Sequence, residues 1–313
     1  MQLIRDVSQA LEKSVVTIGN FDGLHKGHQR LIEALLTAAT QLNVPSVLLT
    51  FQPNPSELFT PQNPTARLMR FQEKWKALEA YNIDYYYAAR FNHAFADLSA
   101  EDFVKNILVA QLQAKKIIVG DDFRFGAKRR GDIALLRLLG KKYGFEVEAL
   151  TQSLFEHERI SSTRIRDALK RGDFQMVSEL MGKPFSLTGR VAYGNQIGRT
   201  LGFPTANIHL RRLQVPLMGI FVVRVHGLST MPLPGVASIG YRPTFNGKAI
   251  VLEVFLFNFN QTIYGQKISV EFLQKIRDEL KFESIDALIV QMQQDVVIAQ
   301  AYFRLAPNLR VMK

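Results

Sequence analysis

Ser14-Val15-Val16-Thr17-Ile18-Gly19-Asn20-Phe21-Asp22-Gly23-Leu24-His25-Lys26-Gly27-His28 carries the chain from a predicted strand into a predicted helix. The strand is a short, mostly β-branched run that stops at Gly19, and the helix spans 28–40, with Leu31, Leu35 and Ala38 at helical spacing. Glycines between them let the backbone turn and approach a ligand closely. A helix N-terminus offers free N–H groups and the positive end of a dipole, which suits a phosphate. His25 and His28 are three residues apart and can aim at one ligand, where imidazole donors would stabilise charge on a phosphoryl group. A bare His-x-x-His is ordinary polar sequence; its place in a glycine-rich strand-to-helix turn makes it informative. No cysteine set or acidic helix accompanies the pair to make it a metal site.

Outward from that turn, strands are predicted at 45–51, 85–89, 116–119 and 145–150, and helices at 71–81, 100–112 and 132–143. Strand and helix in turn mean a parallel sheet with crossover helices, whose ligands sit at the C-terminal strand ends. After Met181-Gly182-Lys183-Pro184 the pattern becomes strand after strand, at 185–191, 219–225, 236–240, 251–257 and 267–273, punctuated by turns such as Asn246-Gly247 and Tyr264-Gly265. That is an antiparallel barrel or sandwich. An amphipathic helix over 284–303 follows, with Ile285, Leu288, Ile289, Met292 and Val296 as its stripe. Two domains are expected, 1–182 and 183–313.

The composition of the 313 residues, 47% hydrophobic and 21% charged, is that of a globular protein. Without cysteines there are no disulfides, thiolate metal sites or cysteine nucleophiles. No apolar run approaches the roughly 18 residues of a membrane helix, and no basic-then-apolar leader opens the chain, so the expected location is cytoplasmic. A net charge of +11 suits polyanions. The sequence has no sustained basic–aromatic stripe for nucleic acid and no membrane segment, which favours phosphorylated small molecules as partners.

Three further motifs carry chemistry. In Ile160-Ser161-Ser162-Thr163-Arg164-Ile165-Arg166, a serine can cap the following helix. Ser162 and Thr163 offer hydroxyls to a phosphate, and Arg166 a forked guanidinium. Arg164 falls on another face and is expected in solvent. In Val119-Gly120-Asp121-Asp122-Phe123-Arg124-Phe125-Gly126-Ala127-Lys128-Arg129-Arg130-Gly131-Asp132, Phe123 and Phe125 can wall a flat ring, and Lys128, Arg129 and Arg130 can meet phosphates. The second half holds Gly194-Asn195-Gln196-Ile197-Gly198-Arg199-Thr200-Leu201-Gly202-Phe203-Pro204-Thr205-Ala206-Asn207. It is no Walker A loop, but its glycines Gly194, Gly198 and Gly202 can bring backbone N–H groups around a nucleotide phosphate. Thr205 and Asn207, two apart in an extended segment, point the same way and offer hard oxygens suited to Mg²⁺. Glu253 stands in the otherwise apolar run Val251-Leu252-Glu253-Val254-Phe255, where a carboxylate must face a site or solvent. It can serve as the base that takes a proton from an attacking hydroxyl.

Residues 19–28 with 160–166 resemble the nucleotidylyltransferase superfamily. Phe51-Gln52-Pro53-Asn54-Pro55 and residues 120–131 narrow the resemblance to the FMN adenylyltransferase module of the prokaryotic bifunctional riboflavin kinase/FAD synthetase family. Gly198 to Asn207, Gly219-Ile220-Phe221, Ser238-Ile239-Gly240-Tyr241-Arg242-Pro243-Thr244-Phe245, Leu252-Glu253-Val254 and Lys275-Ile276-Arg277-Asp278-Glu279-Leu280-Lys281-Phe282 resemble its riboflavin kinase barrel. Asn54 and Phe255 depart from histidines common in the family. The resemblance implies a Rossmann-like α/β domain followed by an antiparallel β-barrel. It implies an enzyme that phosphorylates riboflavin to FMN and adenylylates FMN to FAD, with ATP as co-substrate in both steps. It further implies that Gly19, Asn20, Phe21, Asp22, Gly23, Ser162 and Thr163 meet nucleotide or phosphate, with His25, His28 and Arg166 catalytic. Asp122 with the two loop phenylalanines would meet flavin in the first domain, and Arg277 and Glu279 in the second. Thr205 and Asn207 would hold Mg²⁺, with Glu253 the catalytic base.

Overall fold

In a computed structural model, the structure describes residues 1–5, 11–194, 198, 201–244 and 247–305. Asn195, Gln196, Ile197, Arg199, Thr200, Phe245 and Asn246, quoted above, lie outside the described residues. The chain forms two compact units, Met1–Thr65 with Met69–Ser162, and Ala66–Leu68 with Thr163–Lys313.

The first unit runs β1 (Gln2–Ile4), β2 (Ser14–Ile18), α1 (Lys26–Leu42), β3 (Ser46–Gln52), α2 (Pro55–Phe59), α3 (Phe71–Glu79), β4 (Tyr85–Arg90), α4 (His93–Ala96), α5 (Ala100–Asp102), β5 (Ala114–Gly120), α6 (Ile133–Tyr143), β6 (Glu146–Leu150) and a small hairpin, β7 (Leu154–Phe155) and β8 (Glu158–Arg159). The helix expected over 100–112 is one α-turn that continues as a π-helix over Phe103–Gln111. Strands β1 to β6 form one parallel sheet in the order β1-β4-β3-β2-β5-β6. All five residues of β2 are buried. The chain leaves β2 toward β3 and β4 on one side and later adds β5 and β6 on the other. The sheet order therefore reverses between β2 and β5, which opens a crevice at their C-terminal ends. The loops beginning at Gly19 and Gly120 flank it.

The second unit resumes within α7 (Ser162–Arg171), whose first residue belongs to the first unit, and continues through α8 (Phe174–Met181), β9 (Ser186–Ala192), β10 (Thr205–His209), β11 (Gly219–His226), β12 (Leu233–Thr244), β13 (Gly247–Leu256), β14 (Lys267–Arg277) and α9 (Ile285–Leu305). Its strands close into an antiparallel barrel, β10-β13-β12-β11-β14-β9. The expected pattern lacked β10, a five-residue strand that pairs with β9 and β13 and so closes the barrel. Leu252, Val254, Val270 and Phe272 fill the interior, all at most 1% exposed. Phe174 of α8 packs on the inward rings of Phe221 and Phe272, at 5.9 and 6.1 Å between centroids. Ile285, expected in the buried stripe of α9, is 64% exposed, while Asp295 is 3% exposed. Among the described residues no helix is long and apolar enough to cross a membrane.

Phe221 is fully buried between two other rings. Its replacement by alanine should destabilise the second unit by about 3–5 kcal/mol through lost burial and the cavity left behind. The denaturant midpoint of that unit's transition would check this, and an unchanged midpoint would contradict it.

Candidate active sites

The turn after β2 is held by its own side chains. Phe21 and Leu24 adopt positive φ, +48° and +46°, as does Gly23 at +89°. The Phe21 ring is wholly buried and lies over Gly19, where an added Cβ would come within 3.2 Å of it. The buried Asp22 carboxylate accepts the Met69 N–H at 2.9 Å, and the Asp22 carbonyl accepts Ser162 Oγ–H at 2.8 Å. The side chains of Phe21 and Asp22, expected at the phosphate, thus shape the loop, and the Gly19 N–H is engaged by the Leu49 carbonyl at 3.1 Å.

His25 is the N-cap of α1, its Nδ1 accepting the His28 N–H at 3.3 Å. An accepting Nδ1 places the ring proton on Nε2, so His25 presents a donor on its other edge. The His25 and His28 rings stack at 3.6 Å between centroids, 17° from parallel. His28 Nδ1 is shielded from solvent and has no hydrogen-bond partner among the described residues. Burial, first, and then His25, Lys74 and Arg159 hold the His28 pKa well below the usual imidazole value. Lys74 and Arg159 set a positive field at the His28 ring, with Arg159 paired to the Asp122 carboxylate.

Lys74 and Arg159 carried no motif and were missed from sequence. Lys74 Nζ donates to the Asn20 carbonyl at 2.5 Å from α3, and Arg159 pairs with Asp122 at 2.5 Å from the β7–β8 hairpin. Only the folded chain brings these distant segments to the turn. Across the crevice, Phe125 is 6% exposed and part of the sheet's core beside Phe103. Phe123 stacks on Phe125 at 5.5 Å and is the more accessible of the two rings. Lys128, Arg129 and Arg130 are exposed. Asn54 caps α2 through the Ser56 N–H.

In the second unit, Thr163 is exposed on α7, and Arg166 donates Nε–H to the Ala66 carbonyl at 2.6 Å. Arg164, expected in solvent, is half-buried with its guanidinium on Met176 Sδ, because Met176 of α8 folds back beside it.

The barrel carries the other site on its outer wall. Residues alternate along a strand, so with Leu252 and Val254 inside, Glu253 and Phe255 point out. Asn207 stands opposite Glu253, and Thr205 opposite Phe255, in the β10–β13 register. These four side chains line one cavity of about 400 Å³, with Gly198, Arg277 and Glu279 also on its walls. Gly194 lies against Asn207: a Cβ there would fall 2.2 Å from the Asn207 amide nitrogen. Gly198 packs equally closely on the Phe203 carbonyl, and Gly202 takes φ +85°. Arg277 makes a bidentate pair with the buried Asp295 of α9, Nε to Oδ1 at 2.9 Å and Nη2 to Oδ2 at 2.7 Å. Asp295 was not anticipated, since one acidic residue in a helix carries no sequence signal.

A phosphate-type turn at the switch point of a parallel sheet, and an oxygen-donor set with a carboxylate on a barrel wall, define a two-part enzyme of nucleotide chemistry. Comparison with known proteins is specific. Residues 7–164 match the FAD synthetase family and residues 181–303 the riboflavin kinase family. The chain is 46% identical over 306 residues to the bifunctional riboflavin kinase/FMN adenylyltransferase of Haemophilus influenzae, covering 97% of this chain and 99% of the relative. It is 44% identical over 310 residues to the Escherichia coli K12 protein of the same name, with 97% and 99% covered. A crystal structure from Streptococcus pneumoniae, described as a macrolide-efflux protein, shares its fold at a TM-score of 0.79 and 34% identity, over 95% of this chain and 98% of that one. The chain belongs to the bifunctional riboflavin kinase/FMN adenylyltransferase family.

With its pKa lowered in the fold, His28 stays neutral while the unfolded chain takes up a proton near pH 6.5. Its contribution to stability is full above about pH 6.5 and is lost as pH falls toward the folded-state pKa. His28→Asn should therefore lose less stability than wild type between pH 7 and pH 5. Denaturant titrations at the two values measure this, and equal losses would contradict the lowered pKa.

Proposed function

We propose that this chain converts riboflavin to FMN in residues 183–313 and FMN to FAD in residues 1–182, with ATP the donor in both steps. The observation that carries the reading is the convergence of Thr205, Asn207 and Glu253 on one cavity of the barrel wall, together with the stacked His25–His28 pair at the sheet's switch point.

In the barrel, Glu253 takes the proton of the ribityl 5′-hydroxyl as that oxygen bonds to the γ-phosphorus, and the bond to the β-phosphate oxygen breaks to release ADP. Thr205 and Asn207 fit Mg²⁺, since they offer a hydroxyl and an amide oxygen on the wall that holds Glu253. Among the described residues no cluster of three or more His, Cys, Asp or Glu could hold a metal, so this donor set suits an ion that nucleotide phosphates help to ligate. When bound, Mg²⁺ would offset the negative charge on the transferring phosphates. Gly194, Gly198 and Gly202 let backbone approach those phosphates, and Arg277 and Glu279 meet the flavin.

In the α/β module, an oxygen of the FMN phosphate attacks the α-phosphorus of ATP and pyrophosphate leaves. No base is required, because the attacking phosphate is already an anion, so catalysis is positioning and charge stabilisation. His25 donates from Nε2, and His28 works beside it within the field of Lys74 and Arg159. Ser162, Thr163 and Arg166 are assigned to phosphate binding on their motif. Asp122 and Phe123 meet the FMN ring, with Phe125 supporting Phe123 from the core.

Chromatographic separation of flavins formed from riboflavin, ATP and Mg²⁺ tests both halves. The wild type should accumulate FMN and then FAD. Glu253→Gln should abolish FMN formation and still adenylylate supplied FMN; kinase rates equal to wild type would remove Glu253 as base. His28→Ala should slow FAD formation by roughly 10²–10³-fold with FMN formation intact. A normal FAD rate in that variant would refute its role.

A further inference from the structure

The segment from Arg277 to Phe282, between β14 and α9, lies on the cavity wall and is anchored on both flanks. On one flank, Arg277 pairs with Asp295 through two hydrogen bonds, and Asp295 also accepts Gln291 Nε2–H at 3.2 Å. Arg277 Nη1 donates to the Asp278 carbonyl at 3.0 Å, and its guanidinium carbon stands 5.8 Å from the centre of the Phe282 ring. A carboxylate only 3% exposed is costly unless paired, so the pair holds Arg277 in one orientation. With its charge offset and donors on all three nitrogens engaged, Arg277 is ill-suited to clamp a phosphate. It presents instead a flat, neutralised surface. Leu288, Met292 and Val296 of α9 lie on the same cavity and give it an apolar side. That combination fits a planar heteroaromatic ring.

On the other flank, Glu279 lies over β12 at Gly240. A Cβ at Gly240 would fall 1.8 Å from Glu279 Oε1 and 2.4 Å from its Cδ, so any side chain there must push the carboxylate aside. Gly240 has no positive φ that would call for glycine. The close approach of Glu279 is the constraint.

We propose that Asp295 and Gly240 are positioning residues for the flavin ring in the barrel, Asp295 by orienting Arg277 and Gly240 by admitting the Glu279 carboxylate. This rests on the reading that the cavity binds riboflavin.

Steady-state phosphorylation by the full chain, with riboflavin and ATP varied in turn, tests it. Asp295→Asn should raise the KM for riboflavin roughly tenfold while the KM for ATP stays within about twofold. Gly240→Ala should give the same split without lowering the thermal midpoint, since the displaced group is the free end of a flexible side chain. A merely structural role would move both KM values together, and that result would overturn the proposal, as would two unchanged riboflavin KM values. A shift in only one variant removes the role of the other residue. A wild-type chain that forms no FMN at all would instead overturn the functional reading, and the positioning roles with it.

Discussion

Strand β2 is the constraint on which the first unit depends. It is buried along its whole length between β3 and β5, and Ser14 Oγ is tied to the Leu112 carbonyl at 2.5 Å. A strand so enclosed can deliver its chain only at its end. Because the sheet order reverses beside it, that end opens into a crevice rather than onto a neighbouring strand. The turn there takes its shape from the buried Phe21 ring and Asp22 carboxylate. Shape and chemistry are thus divided among neighbouring residues of one short loop.

The barrel meets the same requirement differently. Pairing of β10 with β13 closes the sheet and sets Asn207 opposite Glu253. A slip of one residue would turn Glu253 into the apolar interior and Leu252 to the wall, so closure and site geometry are one condition. The cavity needs no opening in the barrel itself. It is formed between the outer wall, the segment after β14 and α9.

The surroundings of His28 and of Arg277 differ in burial and charge. Around His28, cations gather, and its imidazole stays neutral because burial and its neighbours penalise a proton. In the barrel, Arg277 already has its carboxylate in Asp295, and Leu288, Met292 and Val296 give the cavity an apolar side.

Residues near one another in sequence were legible from the sequence alone. Periodicity separates the α/β half from the all-β half, and the glycine-bearing runs around Gly19, Gly120 and Gly194 mark turns because only local backbone geometry is at stake. His25 and His28 were recognisable because three residues of one chain segment hold them together. Strand β10 was harder to see: it is only five residues long, follows a glycine-rich run, and Ile208 is its one buried residue, so little apolar sequence marks it. Lys74, Arg159 and Asp295 were decided by tertiary structure. Each is an ordinary charged residue in an unremarkable segment, and what gives it meaning is a partner far away in sequence. The interior role of Phe125 and the exposure of Ile285 likewise depend on what packs against them. Local sequence determines where the backbone turns and which way side chains alternate; long-range packing determines which charges meet, because burial and pairing are properties of the folded neighbourhood.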